Sequence, residues 1–207
     1  GDILVQWITA VTRTSVAAFR TVMAGYMDLG RFIRHVAIEA YLGDDDDVLG
    51  NWGMNNFYTY RFPGTTQFVI LPWDKSDAFV AGPYASTWHN ILDAPPAQQN
   101  RLVIRSLRYA DLYAAWQTAL LDCVRLTTEV DVTSGDSRGW LEREVEFEYS
   151  QIRDAAVTDP VAPYTPEQFE QAVDGLRTFA RVRGAFVTAE VGAGAARPWL
   201  LSRASAR

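Results

Sequence analysis

Four aspartates stand in a row at positions 44–47, two asparagines follow at Asn55 and Asn56, and a further carboxylate pair, Asp74 and Asp77, comes after the apolar run "FVILPW". Carboxylates and amide oxygens are hard donors that suit hard cations. Magnesium prefers near-octahedral oxygen ligation and completes its shell with water and substrate phosphates. Phosphoryl transfer uses such sets: an Asp and an Asn on the metal, and another Asp that accepts the hydroxyl proton. Asp46 or Asp47, then Asn55 or Asn56, then Asp74 offers that combination. The same residues also admit plainer roles. "DDDD" suits a solvated loop or a loose calcium site, the asparagines suit turns, and Asp74 could cap a helix beginning "KSDAF".

To act as one site, these residues must be gathered by the elements between them. "FYTYRF" and "TQFVIL" flank "PGT", which is a hairpin signal. Such a hairpin sets Asn56 and Asp74 at the same end. Alternation along its second strand predicts a buried Trp73 and an Asp74 that opens into a cleft. Upstream, "LGRFIRHVAIEAY" reads as a helix with Asp28 as its N-cap. Phe32, Val36 and Ala40 share a face, Ile33 and Ala37 lie beside it, and Gly43 ends the pattern. Residues 14–27 read as an earlier helix. From Asn100 onward the pattern is helical: "NRLVIRSLR", then 111–126 with Asp111 at its start, then 137–157, then 165–191. The last opens on a capping box, Thr165 to Gln168, with Pro166 at the first helical position; Gly184 is expected to break or bend it. The expected fold is α+β, predominantly helical with an embedded β-hairpin. One domain covers 1–192, and a small-residue-rich tail, 193–207, is expected to fray.

Composition narrows the function. Of 207 residues, 48% are hydrophobic and seven are Trp, enough for a sizeable core. The net charge of −6 argues against sequence-independent nucleic-acid binding, which needs a basic surface. No apolar run reaches the roughly 18 residues of a membrane span. Cys123 is the sole cysteine, so no internal disulfide forms, and a buried inert thiol is expected. Lys75 is the sole lysine. His35 reads as packed or surface and His89 as a local hydrogen-bonding residue. The sequence shows no His–carboxylate metal spacing, Gly-rich phosphate loop or nucleophile elbow.

The stretch 32–79 resembles the central block of the CotH kinase family, named for a bacterial spore-coat protein. The residues that carry the resemblance are "FIRHVAIEAYL", "DDDDVLGNWGMNNFYTYR" and "FVILPWDKSDAF". The segments from Asn100 and from Pro163 also resemble the family's later helices. The resemblance implies a divergent protein-kinase-like C-lobe, with ATP and Mg²⁺ or Mn²⁺ as cofactors and a Ser/Thr-containing protein as substrate. On it, Asp74 matches a metal ligand and Asn56, with Asn55 beside it, matches the asparagine before the aromatic strand. Asp46 matches the acidic turn when aligned without a gap from Gly50, with Asp47 one position away; either is then a base or a second metal anchor. The family's second metal-loop Asp falls on Ser76, so the carboxylate is displaced to Asp77. Family members carry a preceding portion that covers the nucleotide and contacts its phosphates with a cation. Lys75 adjoins Asp74 and is expected to point elsewhere. The chain is therefore expected to be the C-terminal lobe, inactive alone. A spore, secreted or cell-surface location is compatible with the family, and the compartment stays open. Two other readings stand beside the kinase: a non-catalytic metal- or nucleotide-binding or structural module on the same scaffold, and a calcium-binding domain.

Overall fold

The chain opens with α1 (Ile3–Arg13), capped by the Asp2 carboxylate, which accepts the Leu4 N–H at 2.9 Å. Of this helix Trp7 is buried, while Leu4, Val5 and Ile8 are exposed. In the computed structural model, which describes residues 2–91 and 99–194, the expected helix over 14–27 shrinks to α2 (Phe19–Met23). Its two buried residues, Phe19 and Met23, are one turn apart, and Val16 faces solvent. Next comes α3 (Leu29–Leu42). Asp28 caps it by accepting the Arg31 N–H at 2.9 Å, and Gly43 ends it in the left-handed region at φ 61°. Gly43 bears no Cβ to clash there.

The hairpin forms as the sequence predicts. β1 (Phe57–Arg61) and β2 (Phe68–Pro72) pair antiparallel, with Phe57 opposite Pro72 and Arg61 opposite Phe68. One face is covered: Phe68 and Ile70 are buried, and Trp7 stacks on Phe68 with ring centroids 4.9 Å apart. The hairpin's far end satisfies carbonyls left open where α2 stops. Gln67 Nε2 donates to Ala24 O at 2.7 Å, Thr66 Oγ1 to Gly25 O at 2.5 Å, and Phe68 N to Tyr26 O at 2.6 Å.

The remainder is helical: α4 (Arg101–Ser106), α5 (Ala110–Thr127), α6 (Trp140–Thr158) and α7 (Pro166–Gly194). Asn100 caps α4, whereas Asp111 lies inside the first turn of α5 and takes a two-pronged contact from Arg20 at 2.8 and 2.6 Å. The predicted capping box of α7 is present: Gln168 N donates to Thr165 Oγ1 at 3.2 Å, and Gln168 Oε1 accepts the Thr165 N–H at 2.8 Å. Gly184 does not break this helix, which runs on to Gly194. A Cβ there would sit 2.9 Å from Thr128 Cγ2 and 3.4 Å from Val124 Cγ1, so the glycine lets α7 approach α5 closely. The core lies where α3, α5 and α7 meet, around Phe32, Ile33, Val36, Trp116, Leu120 and Val187. Of the expected tail, Ala193 and Gly194 belong to α7, and 195–207 lie outside the described residues. Cys123 is half-buried and burial pushes its thiol up to about 11, the inert behaviour expected. No described helix is long and apolar enough to cross a membrane.

Candidate active site

The aspartate run begins at the C-terminal end of α3, where an α-helix leaves its last carbonyls open and carries partial negative charge. Each open carbonyl has a donor from elsewhere in the chain. Arg183 of α7 donates from Nη2 to Ala40 O at 2.7 Å and from Nε to Tyr41 O at 2.7 Å. The Phe79 N–H donates to Leu42 O at 2.8 Å and the Ala81 N–H to Gly43 O at 3.2 Å. Arg183 Nη1 reaches Pro83 O at 3.0 Å and Ala85 O at 2.5 Å. Its guanidinium is fully buried among Tyr41, Phe179 and Phe186, and burial lowers its pKa to about 10. One side chain thus ties α7 to the end of α3 and to the loop after β2. Glu190, two turns further along α7, holds that loop again by accepting Ser86 Oγ at 2.5 Å and Thr87 Oγ1 at 2.6 Å.

The four aspartates then diverge. Asp46 faces the hairpin, where both its oxygens are taken by amides: Asn55 Nδ2 at 2.8 Å and Asn56 Nδ2 at 2.8 Å. Asp45 accepts from Asn51 Nδ2 at 2.5 Å, and Asn51 Oδ1 meets His89 Nε2 at 2.7 Å. The bond His89 makes is therefore a long-range one. Asp44 and Asp47 turn inward and are buried.

The hairpin delivers its end as expected. The Trp73 N–H donates to Asn56 O at 3.1 Å, which makes Asp74 and Asn56 near neighbours along the backbone. Both lie in the left-handed region, at φ 48° for Asn56 and 41° for Asp74, where Asn and Asp are tolerated better than most residues. The Asp45 N–H donates to Asp77 O at 3.4 Å, so the turn after β2 rests against the aspartate run. No hydrogen bond or ion pair joins the Asp74 or Asp77 carboxylate to Asp46 among the described residues. Asp74 is exposed and Asp77 half-buried. Trp73 departs from expectation: it is 56% exposed and packs edge-on against Tyr58 at 5.0 Å. The cause is that a two-stranded sheet has one covered face, and Tyr58, Leu71 and Trp73 occupy the other side of the pair.

Lys75 supplies what the sequence did not disclose. Its ammonium turns inward, 2.7 Å from Glu39 Oε1 and 3.1 Å from Asp44 Oδ2. His35 Nε2 lies 3.2 Å from the same Glu39 oxygen. Glu39, Asp44 and Asp47 each offer an oxygen within 4.8 Å of the others. Asp47 Oδ1 accepts the Leu49 N–H at 2.6 Å, while its Oδ2 is buried and accepts no hydrogen bond. Burial above all, then the Glu39 charge, pushes Asp47 up to about 8. Burial also raises Glu39, but His35 and Lys75 outweigh it and hold that carboxyl below its ordinary range. Glu39 could have been suspected from sequence as the one acidic residue in a helix whose neighbours Val36 and Ala37 are core. A cavity of about 500 Å³ borders the same loop from the other side, between Trp7, Val48, Leu49, Met54 and Phe57, and none of Asp46, Asn56 or Asp74 lines it.

The helix–acidic loop–hairpin–acidic turn order is the arrangement the sequence resemblance implied. A family model described as CotH kinase protein matches residues 2–131. The match covers more than half of the chain, which therefore belongs to the CotH kinase family. The matched segment runs from α1 through α5 and stops before α6 and α7. No curated protein matches the chain.

Proposed function

We propose that the chain carries the metal-proximal part of an ATP-dependent protein kinase that transfers phosphate to Ser or Thr hydroxyls. The observation that carries the reading is the grip on Asp46 by two adjacent amides at the hairpin end that also bears Asp74. The donor set fits a hard cation: two carboxylates and an amide oxygen, a set that leaves the rest of a magnesium shell to water and phosphate oxygens. Asp74 and the Asn56 amide oxygen would hold Mg²⁺ or Mn²⁺, with Asp77 as a further anchor. Such an ion offsets phosphate charge as it builds in the transition state. Asp46 is the proposed proton acceptor, with Asn55 and Asn56 fixing its carboxylate so that one oxygen can face an incoming hydroxyl. Asp47 is buried with Glu39 and Asp44, which makes it the weaker candidate of the pair for contact with substrate. The nucleotide-covering portion is proposed to lie outside this chain, so the chain alone should transfer phosphate weakly or not at all.

The test is transfer of labelled phosphate from ATP, with Mg²⁺ or Mn²⁺, to a serine-rich acceptor by the chain joined to that portion. Asp46→Asn and Asp74→Asn should each lower turnover by about 10²–10³, the usual cost of one transition-state contact, with little change in melting temperature. Full turnover in both variants would refute the assignment. Metal-dependent nucleotide binding without transfer, at any metal, would instead favour the non-catalytic module.

A further inference from the structure

We propose that Glu39, Asp44 and Asp47 form a second divalent-cation site, suited to calcium, in which the Lys75 ammonium is the stand-in that a metal displaces. It differs from the site proposed at Asp46, Asn56 and Asp74: Asp44 and Asp47 point into the protein, Asp46 points to the hairpin, and Glu39 comes from the last turn of α3.

Charge balance is the first argument. Glu39, Asp44 and Asp47 are 3%, 8% and 1% exposed, and the one ammonium among them, that of Lys75, reaches Glu39 and Asp44. Buried carboxylates are costly unless each is paired or bound to a cation. His35 touches Glu39 and can ease part of the imbalance. Nothing comparable touches Asp47, whose Oδ2 is enclosed and accepts no hydrogen bond. Each of the three residues offers an oxygen within 4.8 Å of the others, and a divalent ion among them would supply the partner that Asp47 lacks. Geometry is the second argument. Two oxygens bound to one ion can be no further apart than twice the metal–oxygen distance. That limit is about 4.6–5.2 Å for calcium and about 4.2 Å for magnesium. Oxygens that all lie within 4.8 Å of one another fall inside the calcium limit. Magnesium keeps several of its waters and is seldom held by an enclosed cage of protein ligands, whereas calcium accepts one.

Lys75 makes the exchange possible. Its side chain is a quarter exposed, while those of Glu39 and Asp44 are 4% and 0% exposed, so the lysine can withdraw where the carboxylates cannot. An ion arriving at the carboxylates sends the ammonium outward beside Asp74.

The chain's single lysine supplies a direct readout. Metal-stripped protein is titrated with Ca²⁺ and Mg²⁺ by calorimetry. In parallel, Lys75 is labelled with an amine-reactive ester and quantified by peptide mass spectrometry. Calcium should bind with unit stoichiometry at least tenfold more tightly than magnesium, and labelling of Lys75 should rise with calcium occupancy. Glu39→Gln and Asp44→Asn should lose the site and Asp46→Asn should keep it. Lys75→Met should tighten calcium at least tenfold by removing the competitor, an outcome that misfolding cannot mimic. The proposal is overturned by calcium binding in neither the native protein nor Lys75→Met up to millimolar concentration. Binding that Asp46→Asn abolishes and Glu39→Gln leaves intact would also overturn it. So would Lys75 labelling that stays constant as calcium saturates.

Discussion

Acidic residues are placed in two contrasting ways in this chain. Between α6 and α7 three carboxylates each meet an arginine of the other helix: Glu146 with Arg177 at 2.6 Å, Glu142 with Arg181 at 2.7 Å, and Glu170 with Arg153 at 2.8 Å. At the end of α3, three buried carboxylates cluster around one lysine that reaches only two of them. The first arrangement is a mortise of matched charges that water can replace, and pairs of this kind contribute up to about 1 kcal/mol each. The second is an imbalance that folding alone gives no reason to keep. Where carboxylates meet arginines the sequence is serving structure; where they are enclosed with too few partners, the proposed second site gives them a ligand to serve.

The contrast is easiest to break at the residue that holds the imbalance in place. Arg183→Leu removes every side-chain donor to Ala40, Tyr41, Pro83 and Ala85 carbonyls, and each buried acceptor left open costs about 1–3 kcal/mol. The expected result is a protein that melts at least 10 °C lower, or does not accumulate folded, by thermal denaturation followed by circular dichroism.

Opposite pH slopes sharpen the comparison next. Asp47 has its folded pKa raised to about 8, above its ordinary 3.8. Between those values the folded form holds a proton that the unfolded chain lacks, so stability falls as pH rises across the window and the full penalty applies above about 8. Glu39, Asp44 and Lys75 face Asp47 in both proteins, so the difference between native and Asp47→Asn isolates it. That variant should melt several degrees above the native protein at pH 8.5, with a smaller gap at pH 5. A gap of constant size would remove the buried-acid description. Glu146 slopes the other way. Its bond to Arg177 holds its carboxyl below the ordinary value, against a smaller opposing push from burial. Its contribution is present above the ordinary pKa and is lost on acidification through the lowered one. Glu146→Gln should lower the melting temperature by about 1–3 °C at pH 7, and the gap should close below about pH 4.

The smallest effect concerns Cys123. Its thiol is half-buried and held near 11, so alkylation at pH 8 should be many-fold slower in the folded protein than in denaturant. Equal rates would mean that α5 opens where it packs on α3.

Local signals were legible in the sequence where they were strong and self-contained. Asp28, Gly43, the Thr165–Gln168 box and the "RFPGTTQF" turn each act within a few residues, and all appear where the sequence places them. The meeting of Asn56 with Asp74 could be read because a hairpin fixes its own ends. Relations carried by distant partners could not be read. Trp73 sits in an apolar run but on a sheet face that nothing covers. Gly184 serves a close crossing with α5 that no spacing along α7 reveals. Lys75 looks like a neighbour of Asp74, yet its flexible chain turns back toward Glu39, thirty-six positions earlier, and that direction is set by charge in three dimensions. Glu39 stands out as an acidic residue beside core positions, but its partner Lys75 lies beyond the hairpin and no local spacing names it.

The grip of Arg183 on the end of α3 bears on where this protein can be cut. The family match stops at residue 131, and a modular view would treat 2–131 as a transplantable unit. The bolt that fastens its acidic loop is nonetheless threaded from position 183. A fragment ending at 131 would carry all the proposed ligands and lose the frame that aims them. Its Asp46 and Glu39 would remain in the sequence while the separation of outward and inward carboxylates dissolved. The heritable unit and the mechanical unit differ here, and any transplant of this chemistry must take α7 along.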